Sequence, residues 1–533
     1  MENSRNNKRI AFAFILATLI ISSCKKLELN KIATEAWSPN LAVPLAIGEF
    51  GVYDVLSGND SSVLSVGQDV SLAILYSENK DILVAADLID LPNQNFNYSA
   101  SMASYGVPIV PSFSGTQTVS TNQTFSLNNA AGGSLYTIDF QSGILNIDVA
   151  TNLMHSLKYD FIFPDLLENG IPVTRTIDLV YNGSTPQVGT TTVNLNNAIL
   201  DLTNGSGGSN EIRVNLDLTI TGSGNPIFGT EYANFDLNLS NLDFDLITGE
   251  FSSLVLPNAM DTIALKLFNN TTQGTFTIVN PTMEFKFGNS FGLPVDINFN
   301  SIKTKELVSG AEFPLTGFPA SFSLAQATNV GQVATSTLMI SDQNSANIQD
   351  ILSPTPKILI YDIGGSIPTA GTQFIAHDSK INLQGTLTLP LEGYATGFVM
   401  RDTIAATVNL DNEFIESAMI RLNIDNGFPI EAKVHILLVD ANYNVLKDLT
   451  NGYQDLIKAA PVDGTGKVTQ SAKAINDFTL TNAELPTVKN TAYIIFEVGG
   501  QTTDGNLGTV VKFYDSYKLS LRLGLQVQGK VKI

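Results

Sequence analysis

Ile212-Arg213-Val214-Asn215-Leu216-Asp217-Leu218-Thr219-Ile220 alternates apolar and polar side chains without a break. A period of two is the repeat of an extended strand, whose successive side chains point to opposite faces. The stretch therefore reads as a half-buried strand, one face in a core and the other in water. The pattern continues on both sides. Phe235, Leu237 and Leu239 resume it after the turn residues Gly222-Ser223-Gly224-Asn225-Pro226, which predicts a hairpin. Met283, Phe285 and Phe287 alternate around Glu284 and Lys286, and Leu519, Leu521, Leu523, Leu525 and Val527 form the clearest run. Helical signal is confined to Ser345 to Leu352, which stops before Pro354, and Gln454 to Ala460, which ends at Pro461. The expected fold is all-β: tandem β-sandwich-like modules in an extended arrangement, with only short helices. Length predicts several domains. We place β modules at 37–205, 206–344 and 345–533, reading Gly205-Ser206-Gly207-Gly208-Ser209 as a flexible loop or linker.

An internal repeat runs through this pattern. Asn289 follows Met283-x-Phe285-x-Phe287 and leads into Phe291-Gly292-Leu293-Pro294-Val295. Asn426 follows Ile420-x-Leu422-x-Ile424 and leads into Phe428-Pro429-Ile430. Upstream of them lie identical tetrapeptides, Asp261-Thr262-Ile263-Ala264 and Asp402-Thr403-Ile404-Ala405. Ile147-x-Val149 before Asn152 is a fainter third copy, which spaces the three asparagines 137 residues apart. The unit reads as strand, asparagine-containing kink, strand.

The first 24 residues give an address. Arg5, Lys8 and Arg9 precede a 12-residue apolar run from Ile10 to Ile21, then Ser22-Ser23-Cys24. This is the plan of a secretory signal peptide over 1–23 and is too short for a bilayer-spanning helix, which needs about 20 apolar residues. Cys24 is the only cysteine in the chain, and Ile21-Ser22-Ser23-Cys24 resembles the bacterial lipobox, whose cysteine is acylated and becomes the new N-terminus. Cys24 is thus the expected lipidation site, with 24–36 as an anchor linker. Processing removes Glu2, Arg5, Lys8 and Arg9, so the formal charge of −21 becomes more negative by two. Such a chain repels nucleic acid, whose binding needs a basic surface. No disulfide can form within it.

Motifs with chemical potential are few. Gly288-Asn289-Ser290-Phe291-Gly292 matches the G-x-S-x-G nucleophile elbow, but the elbow needs a following helix and a histidine base. A proline-containing, β-patterned segment follows here, and His155, His377 and His435 are the only histidines. Ser290 is therefore expected in a turn, His435 in a strand, and His377 beside Asp378 in a solvated loop. Asp440-Ala441-Asn442-Tyr443-Asn444 begins like a calcium loop but has Val445 where glycine is needed, so it reads as a hairpin tip. Asp243 and Asp245 share one strand face and form no recognisable glycosidase pair. Trp37, the only tryptophan, lies close to the anchor. No catalytic residue, metal site or cofactor is predicted.

Trp37-Ser38-Pro39-Asn40-Leu41-Ala42-Val43-Pro44-Leu45, Leu387-Thr388-Leu389-Pro390-Leu391-Glu392-Gly393 and Asn426-Gly427-Phe428-Pro429 resemble uncharacterised outer-membrane lipoproteins of Bacteroidota. Asn280-Pro281 through Asn289 to Pro294 is also similar, over a short stretch, to the β-sandwich of late-embryogenesis-abundant type 2 proteins. Address and pattern together lead us to expect a non-enzymatic structural or binding protein, held in the outer membrane by the lipid on Cys24. A protein partner in the envelope is expected; the alternative is a glycan- or nutrient-binding surface lipoprotein. Cys24→Ala should abolish metabolic labelling with a palmitate analogue and release the protein from the detergent-extracted membrane fraction. Unchanged labelling would contradict the assignment.

Overall fold

The computed structural model describes residues 40–52, 64–128, 133–251, 255–265, 273–306, 309–353, 356–368, 371–405, 415–481, 483–484 and 490–529. Cys24, Trp37 and the signal segment lie outside them. The architecture is all-β, in several modules.

Period two decides the strands. Ile212, Val214, Leu216, Leu218 and Ile220 are all buried, each contributing about 1.5–3 kcal/mol of transfer free energy. Their strand, Glu211–Thr221, pairs on one side with Thr116–Ser126 and on the other with Ser156–Glu168. It does not pair with Tyr232–Glu250, so the expected hairpin is absent. The turn at 222–226 instead carries the chain across to a different set of strands, where Tyr232–Glu250 pairs with Ser134–Thr151.

The same connectivity occurs three times. In the inner module a first sheet runs Gln94–Ser101, Tyr232–Glu250, Ser134–Thr151, Gln187–Asn194. In the middle module it runs Leu72–Val84, Lys380–Pro390, Thr282–Asn289, Ala334–Ile340. In the outer module it runs Asn40–Gly51, Lys518–Gly529, Ile415–Asn426, Ala472–Thr481. The second sets of strands correspond as well, and in the inner module Ala198–Asp201 bridges the two sets into one ten-stranded sheet. Thr116–Ser126, Glu211–Thr221 and Ser156–Glu168 match Val255–Ala264, Pro356–Ser366 and Val295–Glu306, and then Glu392–Ala405, Tyr493–Thr502 and Ile430–Val439. The two identical tetrapeptides occupy equivalent positions, at the ends of Val255–Ala264 and Glu392–Ala405.

Six of the seven strands named for each module come from one stretch of sequence, 116–250, 255–390 or 392–529. The seventh comes from the N-terminal segment, and in reverse order: 40–51 joins the outer module, 72–84 the middle, 94–101 the inner. The modules are therefore nested. Positions 205/206 and 344/345, where divisions are expected, lie within the 116–250 and 255–390 stretches. Gly205–Ser209 is not a linker but a short loop folded on the next strand, where Gly207 N–H donates to Glu211 Oε2 at 2.8 Å.

The kinks are equivalent down to their hydrogen bonds. Asn289 and Asn426 are both buried. Asn289 Oδ1 accepts from Phe291 N–H at 3.0 Å, and its Nδ2 donates to Leu293 O at 3.2 Å and Ala325 O at 3.0 Å. Asn426 Oδ1 accepts from Phe428 N–H at 2.9 Å, and its Nδ2 reaches Ile430 O at 2.9 Å and Lys458 O at 2.8 Å. In the inner module the equivalent residue is Thr151, one before the expected Asn152. Thr151 Oγ1 accepts from Leu153 N–H at 3.0 Å, and Gln187 Nε2 supplies the amide, donating to Leu153 O and His155 O at 2.8 and 2.9 Å. One asparagine has been replaced by two side chains doing the same work.

Helix is scarce among the described residues. Of the expected 345–352 piece only Asp350–Leu352 is helical, as one 3-10 turn. Gln454–Ile457 is a strand paired with Ile430–Val439. Leu456 is buried there with Ile424, Val434 and Ile436, and sheet pairing overrides the local helical signal. Replacing Asn289 or Asn426 by Ala strands one N–H and at least two carbonyls, so each change should cost about 2–4 kcal/mol. Denaturant unfolding checks this. A loss below about 0.5 kcal/mol would contradict the latch role.

Candidate functional site

Modules meet end to end, each kink end against its inward neighbour. Phe428, just after Asn426, packs with Val52, Leu72, Tyr514 and Tyr517 at the outer–middle joint, and Leu72 N–H donates to Phe513 O at 3.0 Å. Gly292, just after Asn289, donates to Phe374 O at 3.0 Å. The Phe374 strand, Gln373–Ala376, pairs in turn with Leu246–Gly249 of the inner module. The kink end of the inner module is covered by no further module among the described residues. Its own loops close it.

Those loops are tightly held. His155 is fully buried, and its Nδ1 accepts from Ser223 N–H at 3.0 Å. Burial holds this imidazole below its ordinary pKa, against an opposing pull from Glu231. Ser223 Oγ and Asn225 Nδ2 both donate to Met154 O. Val110 and Ile227 exchange main-chain hydrogen bonds of 3.0 and 2.8 Å. The residues beside this bridge, Ile109 and Phe228, are 67% and 58% exposed. Glu231, itself buried, fixes the second by accepting from Phe228 N–H at 2.8 Å. Gly229, at φ +80°, leaves no room for a side chain: a Cβ would lie 2.9 Å from Ile109 Cγ1. Two large apolar side chains thus stand exposed on a rigid frame, which lowers the entropic cost of binding.

A second feature lies on the flank of the same module. The pairing of Tyr232–Glu250 with Ser134–Thr151 is bulged between Ser240 and Asp243. A groove of about 440 Å³ opens there, lined by Ser142, Ile144, Asn146, Thr192, Asn194 and Asn241 among others. Most of its lining residues carry an amide or a hydroxyl, and Ile144 adds an exposed aliphatic side chain.

The motifs picked out in the sequence are not brought together. Ser290 directly follows the strand Thr282–Asn289, and its hydroxyl accepts from Lys380 N–H at 2.8 Å and donates to Lys380 O at 3.1 Å. His377 contacts Asp243, at 3.4 Å, rather than Asp378. Asp245 faces out, and burial together with the Asp245 charge holds Asp139 above the usual carboxylate range. Asp440 is consumed by its own loop: Oδ1 accepts from Asn442 and Asn444 N–H, and Oδ2 from the Asn444 amide. No group of three or more metal-ligating side chains is assembled among the described residues, and no helix among them is long and apolar enough to cross a membrane.

No family model and no curated protein matches the chain. Among solved structures, a Parabacteroides distasonis protein described as secreted is 15% identical, with a TM-score of 0.31, over 53% of this chain and 89% of its own. The non-crystalline-cellulose-specific carbohydrate-binding module CBM28 is 13% identical, with a TM-score of 0.15, over 26% and 77%. The N-terminal CBM22 tandem domain of Paenibacillus barcinonensis Xyn10C is 10% identical, with a TM-score of 0.12, over 52% and 97%. Likenesses this distant carry no functional argument.

His435 is the group that sequence reading undervalued. On Ile430–Val439 its Nδ1 lies 3.2 Å from Glu497 and its Nε2 3.0 Å from Asp448. Tyr453 packs on the ring at 5.2 Å and donates to Glu497 at 3.2 Å. Partial burial disfavours the charged ring, but the two carboxylates outweigh it and hold the imidazole above its ordinary value. The folded state therefore binds this proton more tightly than the unfolded chain, whose imidazole titrates near 6.5. The stabilisation is complete below about pH 6.5 and is lost as pH rises through the raised folded value. Unfolding of wild type and His435→Gln compared across this range should show a gap that narrows with increasing pH. A gap that widened would reverse the assignment.

Proposed function

We propose that the chain is a lipid-anchored protein of the outer membrane or cell surface. It acts without catalysis, as a spacer and binding protein that presents the kink end of its inner module to a protein partner in the envelope. One observation carries the reading: strand 40–51, the first described after the expected lipid site, belongs to the outer module. A tether at Cys24 therefore attaches at one end of the series, and the inner module stands at the other. Ile109 and Phe228 are exposed at that far end, on loops fixed by His155 and Glu231. Exposed apolar side chains on rigid loops suit a protein partner. Membership of the Bacteroidota lipoproteins is part of the same proposal, resting on the motifs around Trp37, Pro390 and Phe428.

The asparagine-lined groove favours a second reading, capture of a glycan, whose hydroxyls amide side chains recognise. The two readings separate by mutation. A photo-crosslinking residue at 228 should capture a protein in intact cells, and Ile109→Asp should abolish capture while leaving lipid labelling unchanged. Capture insensitive to Ile109→Asp, with oligosaccharide binding lost on Asn146→Ala and Asn194→Ala, would favour the glycan reading instead.

A further inference from the structure

The opposite end of the series, where the chain enters the outer module, has its own exposed aromatic group. Tyr443, at the tip of the hairpin joining Ile430–Val439 to Val445–Asp448, is 57% exposed, and Val445 beside it is 58% exposed. Tyr443 stacks on Tyr493 with ring centroids 4.9 Å apart and planes 4° from parallel. Its backbone is left-handed, at φ +63°, an unusual conformation for a bulky residue. Asp440 enforces it: its carboxylate gathers the Asn442 and Asn444 N–H groups and the Asn444 amide. The loop therefore holds a tyrosine outward at some cost in backbone freedom.

The position of this tip follows from contacts. Lys447, in the same hairpin, is paired with Glu484. Glu484 in turn accepts from Thr481 N–H at 2.9 Å. Thr481 lies opposite Ser417, Ser417 opposite Gln528, and Gln528 opposite Asn40. The tip thus shares the end of the module at which the chain arrives from residue 39. Residues 24–39 can span at most about 55 Å, at about 3.4 Å per residue, so an acyl chain on Cys24 limits this end to that distance from the bilayer and makes it the end of the series that faces the membrane. Tyrosine suits that place, having an apolar ring and a polar hydroxyl for the headgroup level. Lys447 and Glu484 compensate one another, and the Asp440 carboxylate is occupied within its loop.

We propose that the Tyr443–Tyr493 stack and Val445 form a membrane-contact surface that rests in the headgroup region of the bilayer carrying the Cys24 lipid, setting the outer module against the membrane. This rests on the lipid-anchor reading above. The test uses full-length acylated protein in phosphatidylcholine vesicles with brominated acyl chains. Trp37→Phe removes the native tryptophan, and Tyr443→Trp, Val445→Trp or Phe228→Trp then places a single emitter. Bromine should quench emission from 443 and 445 in part and leave 228 bright. Flotation of each preparation with the vesicles reports the anchor separately. Protein that floats while 443 and 445 stay as bright as 228 overturns the membrane contact and leaves the anchor standing. Protein that neither floats nor carries an acyl mass overturns the anchor, and the contact with it.

Discussion

A β-sheet edge left open exposes a row of unpaired N–H and C=O groups, and every module here depends on how one such edge is filled. Lys518–Gly529, Lys380–Pro390 and Tyr232–Glu250 each need a partner on the side away from their kinked strand. Each receives one from the first hundred residues. Without those strands, three sheet edges would be templates for pairing with another chain. The N-terminal segment is thus a shared component of the whole fold, and its order of use fixes the order of the modules.

The entropic cost of this arrangement is small. Ser99 and Asn234 of the inner module bond across 135 residues, whereas Glu49 and Lys518 of the outer module bond across 469. Loop-closure entropy grows only logarithmically with length, so the longer closure costs about 1 kcal/mol more. The pairing it secures extends over eleven residue positions. Nesting also brings the N-terminal and C-terminal strands together in one module. A tether at Cys24, as proposed, would then hold the series at one end and leave a middle stretch of sequence at the other. Polar groups are met locally: a buried amide at each kink takes up the groups freed where the chain changes sheets.

Much of this was legible from residue patterns. Alternation gave the strands around Ile212, Met283 and Leu519 because a half-buried strand writes its two faces directly into sequence. Asn289 and Asn426 stood out because one side chain serves three main-chain groups, a demand few residues satisfy. The inner kink lies at Thr151, one position before Asn152, because Thr151 and Gln187 divide the task between residues 36 apart. Gly205–Ser209 has a linker's composition but joins two strands of one sheet, a role that composition does not reveal. Strand partners left no local mark at all: nothing in 40–51 names 518–529. The clamp on His435 was hidden for the same reason, its carboxylates lying 13 and 62 residues away. Gln454–Ile457 carried a helical signal that pairing in the sheet overrode.

Nesting is tested most directly by hydrogen exchange on the chain lacking residues 40–51, compared with the intact protein. The account predicts lost protection in Lys518–Gly529, at the far C-terminal end of the sequence, with Tyr232–Glu250 and Lys380–Pro390 unchanged. Protection retained in 518–529, or lost first in the strands nearest the deletion, would contradict it.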